Sequence, residues 1–163
     1  MGNVVVAAER LPKLEDYLCF AVYSANLPLH RLLKPLLDEV GLTYPQYLVL
    51  IALYDDDHQT VGGLGDKLFL DSSTLTPLLK RMEAMGYVVR QRDPLDERQM
   101  RIRLTPRGRS LREKGIGFRA DYVETTDLMP AASRQLRQDM AKLRENLSKA
   151  TQAIARRDPR ARR

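Results

Sequence analysis

Apolar residues recur at helical spacing along most of the chain, with polar residues between them, and this pattern predicts a mainly α protein. The first helix is predicted over residues 14–39, where Pro28 and Pro35 should cause a kink or a break. A second helix is predicted to follow Thr43, and a third to cover the glycine-rich residues 62–68.

Residues 70–108 carry the most specific pattern of the chain. The polar cluster DSST at residues 71–74 should cap an amphipathic helix, and Gly86 can take the left-handed conformation that ends one. Two short β-type runs follow, at residues 87–90 and 100–104, with a charged tip between them. A helix with short polar side chains at its start, followed by a basic hairpin, is typical of a winged helix-turn-helix, an architecture that reads DNA.

The last predicted helix, over residues 132–155, has a narrow apolar seam whose members alternate in spacing between four and three residues. A lone helix with such a seam usually packs on another helix, and the middle of the chain already supplies a core. The first and last helices are therefore predicted to form a dimer interface. The seam consists of Leu136, Met140, Leu143, Leu147, Ala150 and Ile154.

These patterns divide one predicted domain, residues 1–163, into parts with different roles. Residues 43–108 form the winged helix-turn-helix, a small β-hairpin wing included, and residues 14–40 and 109–155 form the dimerisation helices. Residues 156–163 form a basic tail, which we expect to be solvated and disordered rather than bound to phosphates.

Composition narrows the function classes. The formal net charge of +6 favours an anionic partner without identifying it. Cys19 is the only cysteine, so no disulfide can form within the chain, which fits the reducing cytoplasm. No apolar run approaches ~18 residues, so no membrane span is expected. His30 and His58 have no ligand-spaced partners, and no catalytic motif is present, so we expect no metal, no cofactor and no enzyme activity.

Residues 96–108, DERQMRIRLTPRG, fit the pattern D-x-R-x(5)-L-T-x-x-G and resemble the wing of the MarR family of winged-helix regulators. Upstream, the segments LCFAVYS, KPLLD and LTYPQYL, together with the helix that follows Leu70, resemble the OhrR branch of that family. Members of this branch are cysteine-based repressors that sense organic hydroperoxides. The resemblance covers residues 14–110.

This resemblance implies a homodimer on double-stranded operator DNA, with each recognition helix in a major groove and each wing in a minor groove. It places Arg98 in the minor groove, where negative potential is focused, and gives Asp96 an ion pair that braces the wing. The plainer role of Arg98 is a solvated loop charge, and the plainer role of the Ser and Thr side chains at the helix start is a helix cap. The implied DNA contacts are Ser72, Ser73, Thr74, Thr76, Lys80, Arg81, Arg98, Gln99 and Arg101.

A lone cysteine on a helix is usually a small buried hydrophobe. The surrounding LCFAVYS, however, resembles the OhrR peroxidatic site, which makes Cys19 the implied redox sensor with Tyr23 one turn away. Tyr44 matches a tyrosine that this branch places near the sulfur from the partner subunit. Leu33 stands where the branch has its other sulfur-facing tyrosine. Leucine cannot donate a hydrogen bond to a thiolate. It would also enlarge an apolar pocket, which would suit bulky, lipid-like peroxides. With no second cysteine, reversible oxidation would need a small external thiol.

Three functions remain open at this point. The leading one is a repressor that releases its operator when organic hydroperoxides oxidise Cys19. The alternative keeps the DNA reader but has it respond to a non-covalent aromatic or lipid-like ligand near Leu33 and Tyr44. A third is a structural nucleic-acid binder without regulation, which predicts a steep salt dependence and little sequence preference.

Overall fold

The computed structural model describes residues 11–113 and 130–157. The chain divides after Glu113 into two compact units. The first contains a 3-10 turn at Leu14–Asp16 and the helices α1 (Leu18–Glu39), α2 (Tyr44–Asp55), α3 (Val61–Leu68), α4 (Ser72–Ala84) and α5 (Pro106–Glu113), with strands β1 (Gln59–Thr60), β2 (Val88–Arg92) and β3 (Met100–Leu104). The second contains α6 (Pro130–Arg157).

The mainly α fold with a small β wing is confirmed, and so are the positions of the helices in the first unit. The first helix begins later than predicted, because Tyr17 is extended between the 3-10 turn and Leu18. The break that we predicted at the prolines is wrong, since α1 continues through both Pro28 and Pro35. Each proline lacks only its own N–H donor, and the hydrogen-bonded turns on either side keep the helix continuous.

Local capping explains where α2, α3 and α4 begin. The Gln46 side chain accepts a hydrogen bond of 2.8 Å from the Thr43 backbone, and Thr60 Oγ1 accepts one of 3.0 Å from Gly63 N. The α3 helix therefore forms in spite of its glycines. The α4 helix ends as predicted, with Gly86 in the left-handed region at φ 73°.

The wing is a three-stranded antiparallel sheet in the order β1-β3-β2. In β3, Ile102 pairs with Gln59 of β1 on one side and with Arg90 of β2 on the other. Ile102 and Leu104 point into the core, and the residues between them point to the outer face. The core they join is built from α2, α3 and α4, and its fully buried members include Leu50, Leu53, Leu64, Leu75, Leu79 and Met82.

Large apolar side chains remain exposed on α1 and α6. On α1 only Leu33 and Leu37 are buried, whereas Leu18, Val22, Tyr23, Leu27, Leu32 and Leu36 are exposed. On α6 the exposed apolar residues are Leu136, Met140, Leu147 and Ile154, all members of the predicted seam. These two helices carry the apolar surfaces that the sequence assigned to a dimer interface.

Two predictions concern the end of the chain. Arg156 and Arg157, which we placed in a disordered tail, belong to α6, because the helix continues to Arg157. The rest of the tail, residues 158–163, and residues 114–129 of the predicted dimerisation segment lie outside the described residues. The prediction of one domain concerns how the two units combine and stays a prediction.

Among the described residues, no single helix is long and apolar enough to cross a membrane. The helices α1 and α2 together reach the length and apolar composition of a membrane span, but the chain bends by 76° between them.

Candidate nucleic-acid interface and cysteine site

The start of α4 is organised by Asp71, its N-cap. The Asp71 carboxylate accepts hydrogen bonds from Thr74 N at 2.8 Å, from the Thr74 hydroxyl at 3.1 Å and from the Ser73 hydroxyl. The Ser73 hydroxyl, followed by the Thr74 donors, lowers the pKa of Asp71 to about 2. The Ser73 and Thr74 hydroxyl protons are therefore used by the cap, and the oxygens of these residues remain exposed as acceptors. Ser72 and Thr76 are outside this hydrogen-bonded group.

Lys80 and Arg81 are exposed on the turns of α4 that follow. Within the described part of the chain, no carboxylate forms an ion pair with either residue, whereas Arg90 on β2 lies 3.7 Å from Glu83. Two unneutralised cations thus lie beyond the polar start of this helix. Such an arrangement suits contacts to phosphates, which fix position more than sequence.

At the wing tip, Asp96 closes a tight turn. Its carboxylate accepts hydrogen bonds from Arg98 N at 3.1 Å and from Gln99 Nε2 at 3.0 Å, and its carbonyl accepts one from Gln99 N at 2.9 Å. The Arg98 guanidinium is exposed and forms no ion pair with a described residue. The turn therefore presents Arg98 at the tip, while the Gln99 amide is engaged by Asp96.

The ion pair that we expected from Asp96 is formed by Asp93 instead. Asp93 Oδ2 lies 2.5 Å from Arg101 Nε, and Arg101 Nη1 donates to His58 O at 2.9 Å. The register explains this, because Arg101 pairs with Gln91, and Asp93 follows Gln91 by two residues on the same face of the hairpin. Arg101, which we expected at the DNA, therefore holds the wing together. The sequence alone does not give the register that selects this pair.

The outer face of the wing is basic. An open groove of about 370 Å³ lies there, and Arg92, Arg101 and Arg103 line it together with Asp93 and His58. Asp93 neutralises Arg101, so the groove keeps a net positive charge from the other two arginines. Positive potential thus extends from the wing tip along its outer face.

Asp57, which no sequence pattern singled out, anchors the wing base. Its carboxylate accepts hydrogen bonds from Leu104 N at 3.0 Å and His58 N at 2.9 Å and pairs with Arg109 at 2.5 Å. Burial acts to raise the pKa of Asp57, but these hydrogen bonds outweigh it and hold the pKa below its usual value. Because folding lowers this pKa, the stability that Asp57 contributes is present above its unfolded-state pKa and is lost as the pH falls through the folded value.

Cys19 lies in the first turn of α1 and is exposed. Tyr23 follows one turn later on the same side of the helix and is also exposed. The positive end of a helix macrodipole favours a negative charge in this turn. The structure therefore places Cys19 and Tyr23 together on a surface that an outside molecule can reach.

Within one chain, Tyr44 and Leu33 are not beside the sulfur. The Tyr44 ring stacks on His30 with centroids 4.8 Å apart, and His30 is eleven residues, roughly 16 Å of helix, beyond Cys19. Leu33 is further along α1 and is 5% exposed, so it packs in the core and does not line an open pocket as we expected. A site that joins Cys19 to Tyr44 needs a second copy of the chain.

Among the described residues, no group of three His, Cys, Asp or Glu side chains could hold a metal ion.

Comparisons with known proteins agree with this fold. The family model of the SarA/Rot transcriptional regulators matches residues 31–114. The organic hydroperoxide resistance transcriptional regulator of Bacillus subtilis is 40% identical over 83% of this chain and 92% of its own length. The regulator TtmR of Methylorubrum extorquens is 45% identical over 82% of this chain and 69% of its own.

Among solved structures, AbfR of Staphylococcus epidermidis superposes with a TM-score of 0.71 at 30% identity, covering 83% of this chain and 94% of that one. Overoxidized AbfR bound to DNA gives a TM-score of 0.67 at 31% identity, covering 82% and 94%. Fold, wing motif and relatives thus lead to one assignment: the chain belongs to the MarR family of winged-helix transcriptional regulators, in the branch of the organic hydroperoxide resistance regulator.

Proposed function

We propose that the protein is a dimeric cytoplasmic repressor that binds operator DNA and releases it when an organic hydroperoxide oxidises Cys19. The observation that carries this proposal is the exposure of Cys19 beside Tyr23 on an apolar face of α1. A cysteine that only filled the core of its own chain would be buried there. The relative from Bacillus subtilis bears the name of an organic hydroperoxide resistance regulator, which supports this input.

The DNA-reading surface combines the start of α4 with the wing tip. Ser72 and Thr76, with the acceptor oxygens of Ser73 and Thr74, can reach base edges or phosphates from a helix that enters the major groove. Lys80 and Arg81 supply contacts to the backbone, and Arg98 enters the minor groove from the wing tip. AbfR, a relative with the same fold, has been solved on DNA in reduced and in overoxidized form, which supports this reading of the surface.

The proposed dimer completes both the site around Cys19 and the DNA-binding surface. Because Cys19 and Tyr44 lie far apart in one chain, two α1 helices crossing about a two-fold axis would bring the Tyr44 of each copy toward the Cys19 of the other. The exposed apolar face of α1 supplies a surface for this crossing. Two reading heads related by the same axis would then contact two half-sites of the operator.

The redox step uses the chemistry of a thiolate with a peroxide. The Cys19 thiolate attacks one oxygen of the hydroperoxide, a sulfur–oxygen bond forms, the oxygen–oxygen bond breaks, and the leaving alkoxide takes a proton to become an alcohol. The product is a sulfenic acid on Cys19. A small thiol then displaces the hydroxyl as water and gives a mixed disulfide, since the chain has no second cysteine.

The test is an operator titration with the reduced protein, before and after treatment with cumene hydroperoxide, with Cys19→Ser as the matched variant. We expect tight binding of the reduced wild type and a loss on the order of a hundredfold after oxidation, at the upper end of ordinary coupling between sites. We expect the serine variant to bind DNA and to ignore the peroxide. Equal release from the serine variant would overturn redox sensing and favour a non-covalent ligand, whereas weak, sequence-independent binding would overturn the repressor itself.

Arg98→Ala should weaken operator binding without unfolding the wing, because the Arg98 guanidinium forms no ion pair with a described residue. We expect a loss of about tenfold to a hundredfold in affinity, in line with about 1–3 kcal/mol for one specific arginine contact. Fluorescence anisotropy on operator DNA measures this loss. Gln91→Ala, an exposed change on the outer face of the wing, is the control and should keep affinity within about threefold, because it removes no charge that could contact a phosphate. An Arg98→Ala protein that binds like the wild type would leave Arg98 as a solvated charge.

A further inference from the structure

The two ends of α1 have different surroundings. The first turns carry Cys19 and Tyr23 on an exposed face, whereas Leu33 and Leu37 near the other end are buried in the core of the first unit. The helix ends at Glu39, and Val40 is its C-cap. Within one chain, the buried end of this helix is therefore a route by which a displacement at Cys19 can reach the DNA-reading elements.

Tyr87 contacts that end directly. Its side chain is 6% exposed, and its hydroxyl donates a hydrogen bond of 2.9 Å to the carbonyl of Val40, 47 residues earlier in the chain. The carbonyl belongs to the C-cap of α1, and the backbone acceptors at this end of a helix have no partner in the helix itself. The hydrogen bond thus joins the end of α1 to a residue of the reading head.

In the backbone, Tyr87 stands between the recognition helix and the wing. It follows Gly86, which ends α4, and it precedes Val88, the first residue of β2. The Tyr87 carbonyl accepts hydrogen bonds from Thr105 N at 3.1 Å and Thr105 Oγ1 at 3.2 Å, which fix it to the residue before α5. The Arg107 guanidinium lies 5.2 Å from the centre of the Tyr87 ring. A shift of Tyr87 would therefore move the end of α4 and both strands of the hairpin.

We propose that Tyr87 is the positioning residue that carries movement of α1 to the recognition helix and wing, through the hydrogen bond between its hydroxyl and Val40. This inference rests on the proposed function, since it assumes that a change at Cys19 alters DNA binding. When α1 moves, Tyr87 either follows it or leaves its largely buried hydroxyl without this partner, which is the costlier outcome. The phenylalanine ring alone would keep the packing and lose this constraint.

The experiment removes one hydroxyl at a time. Tyr87→Phe deletes the hydrogen bond to the end of α1, and the matched control Tyr54→Phe deletes a part-buried hydroxyl that donates to Gly108 O at 2.7 Å, within the reading head. For each protein the operator Kd is measured reduced, after cumene hydroperoxide, and after alkylation of Cys19 with N-ethylmaleimide. Alkylation places a bulky adduct on the sulfur whether or not the natural input is a peroxide.

We expect the modified-to-reduced ratio of Kd to fall on the order of tenfold in Tyr87→Phe, about the effect of one hydrogen bond, while its reduced Kd stays within about threefold of the wild type. Tyr54→Phe should keep the wild-type ratio. An unchanged ratio in Tyr87→Phe, or an equal fall in both variants, would overturn the proposal. If the wild type responds to alkylation but not to peroxide, the peroxide input is refuted and the proposed role of Tyr87 is retained. If the wild type responds to neither reagent, both the proposed function and the role of Tyr87 are overturned.

Hydrogen exchange of the wild type gives a readout that does not depend on any variant. Alkylation of Cys19 should raise exchange at the backbone amides of residues 86–92, because the adduct would loosen the contact between α1 and Tyr87. Exchange that rises only within α1 would show that the displacement stops before Tyr87 and would contradict the proposed link.

Discussion

Leu147→Glu should convert the protein from a dimer to a monomer and weaken operator binding by roughly a hundredfold to ten-thousandfold, the range that a second linked binding site contributes. Leu147 is 59% exposed in the middle of the α6 seam, and the run of exposed apolar side chains along this seam indicates a surface that another helix covers. A carboxylate at this position would have to lose its water on association, which is costly without a partner charge.

Sedimentation measures the first effect and operator titration the second. The wild type should sediment at twice its chain mass of 18.7 kDa, and the variant at that mass. Ser148→Glu is the control, since it adds the same charge at the neighbouring position, outside the seam, and should leave the dimer intact. A Leu147→Glu protein that remains dimeric would place the dimer interface elsewhere, with the exposed face of α1 as the remaining apolar surface.

The parts of the fold that the sequence predicted are those determined by near neighbours. The cap at Asp71, the left-handed Gly86 and the alternation of Met100–Leu104 each depend on a few consecutive residues. These local signals place the start of α4 and the wing tip with Arg98 along the chain. The DNA contacts of these residues come from the resemblance to the MarR family and stay a prediction.

The errors concern pairings that depend on register or on distant segments. Either Asp93 or Asp96 could have braced the wing, and only the pairing of Gln91 with Arg101 decides for Asp93. Leu33 was expected in an open pocket because it stands where the OhrR branch has a sulfur-facing tyrosine, yet it is 5% exposed and packs in the core. The contacts of Asp57 with Leu104 and of Tyr87 with Val40 each join residues 47 positions apart, which no local pattern encodes.

Gly108→Ala is expected to cost about 3 kcal/mol or more of folding stability, at the upper end of the range for overpacking a closed site. A Cβ at this position would lie 2.1 Å from the Tyr87 carbonyl oxygen, a contact that cannot exist, and 3.3 Å from the Leu104 side chain. The backbone has little freedom to relax, because Gly108 N donates to Thr105 Oγ1 at 2.9 Å and Gly108 O accepts from Tyr54 at 2.7 Å.

The free energies of unfolding of Gly108→Ala and Gly62→Ala, measured in denaturant, separate the steric contact at Gly108 from the general effect of replacing glycine by alanine. Gly62 lies in α3 with no atom within 4 Å of an added Cβ, so alanine there should stabilise the protein by about 0.5–1 kcal/mol through its better helix propensity. The same chemical change should thus have opposite signs at the two sites, and equal stabilities would refute the steric argument. The final glycine of the wing pattern L-T-x-x-G then has a physical reason: the first turn of α5 passes directly against the carbonyl of Tyr87, and only a residue without a side chain fits between them.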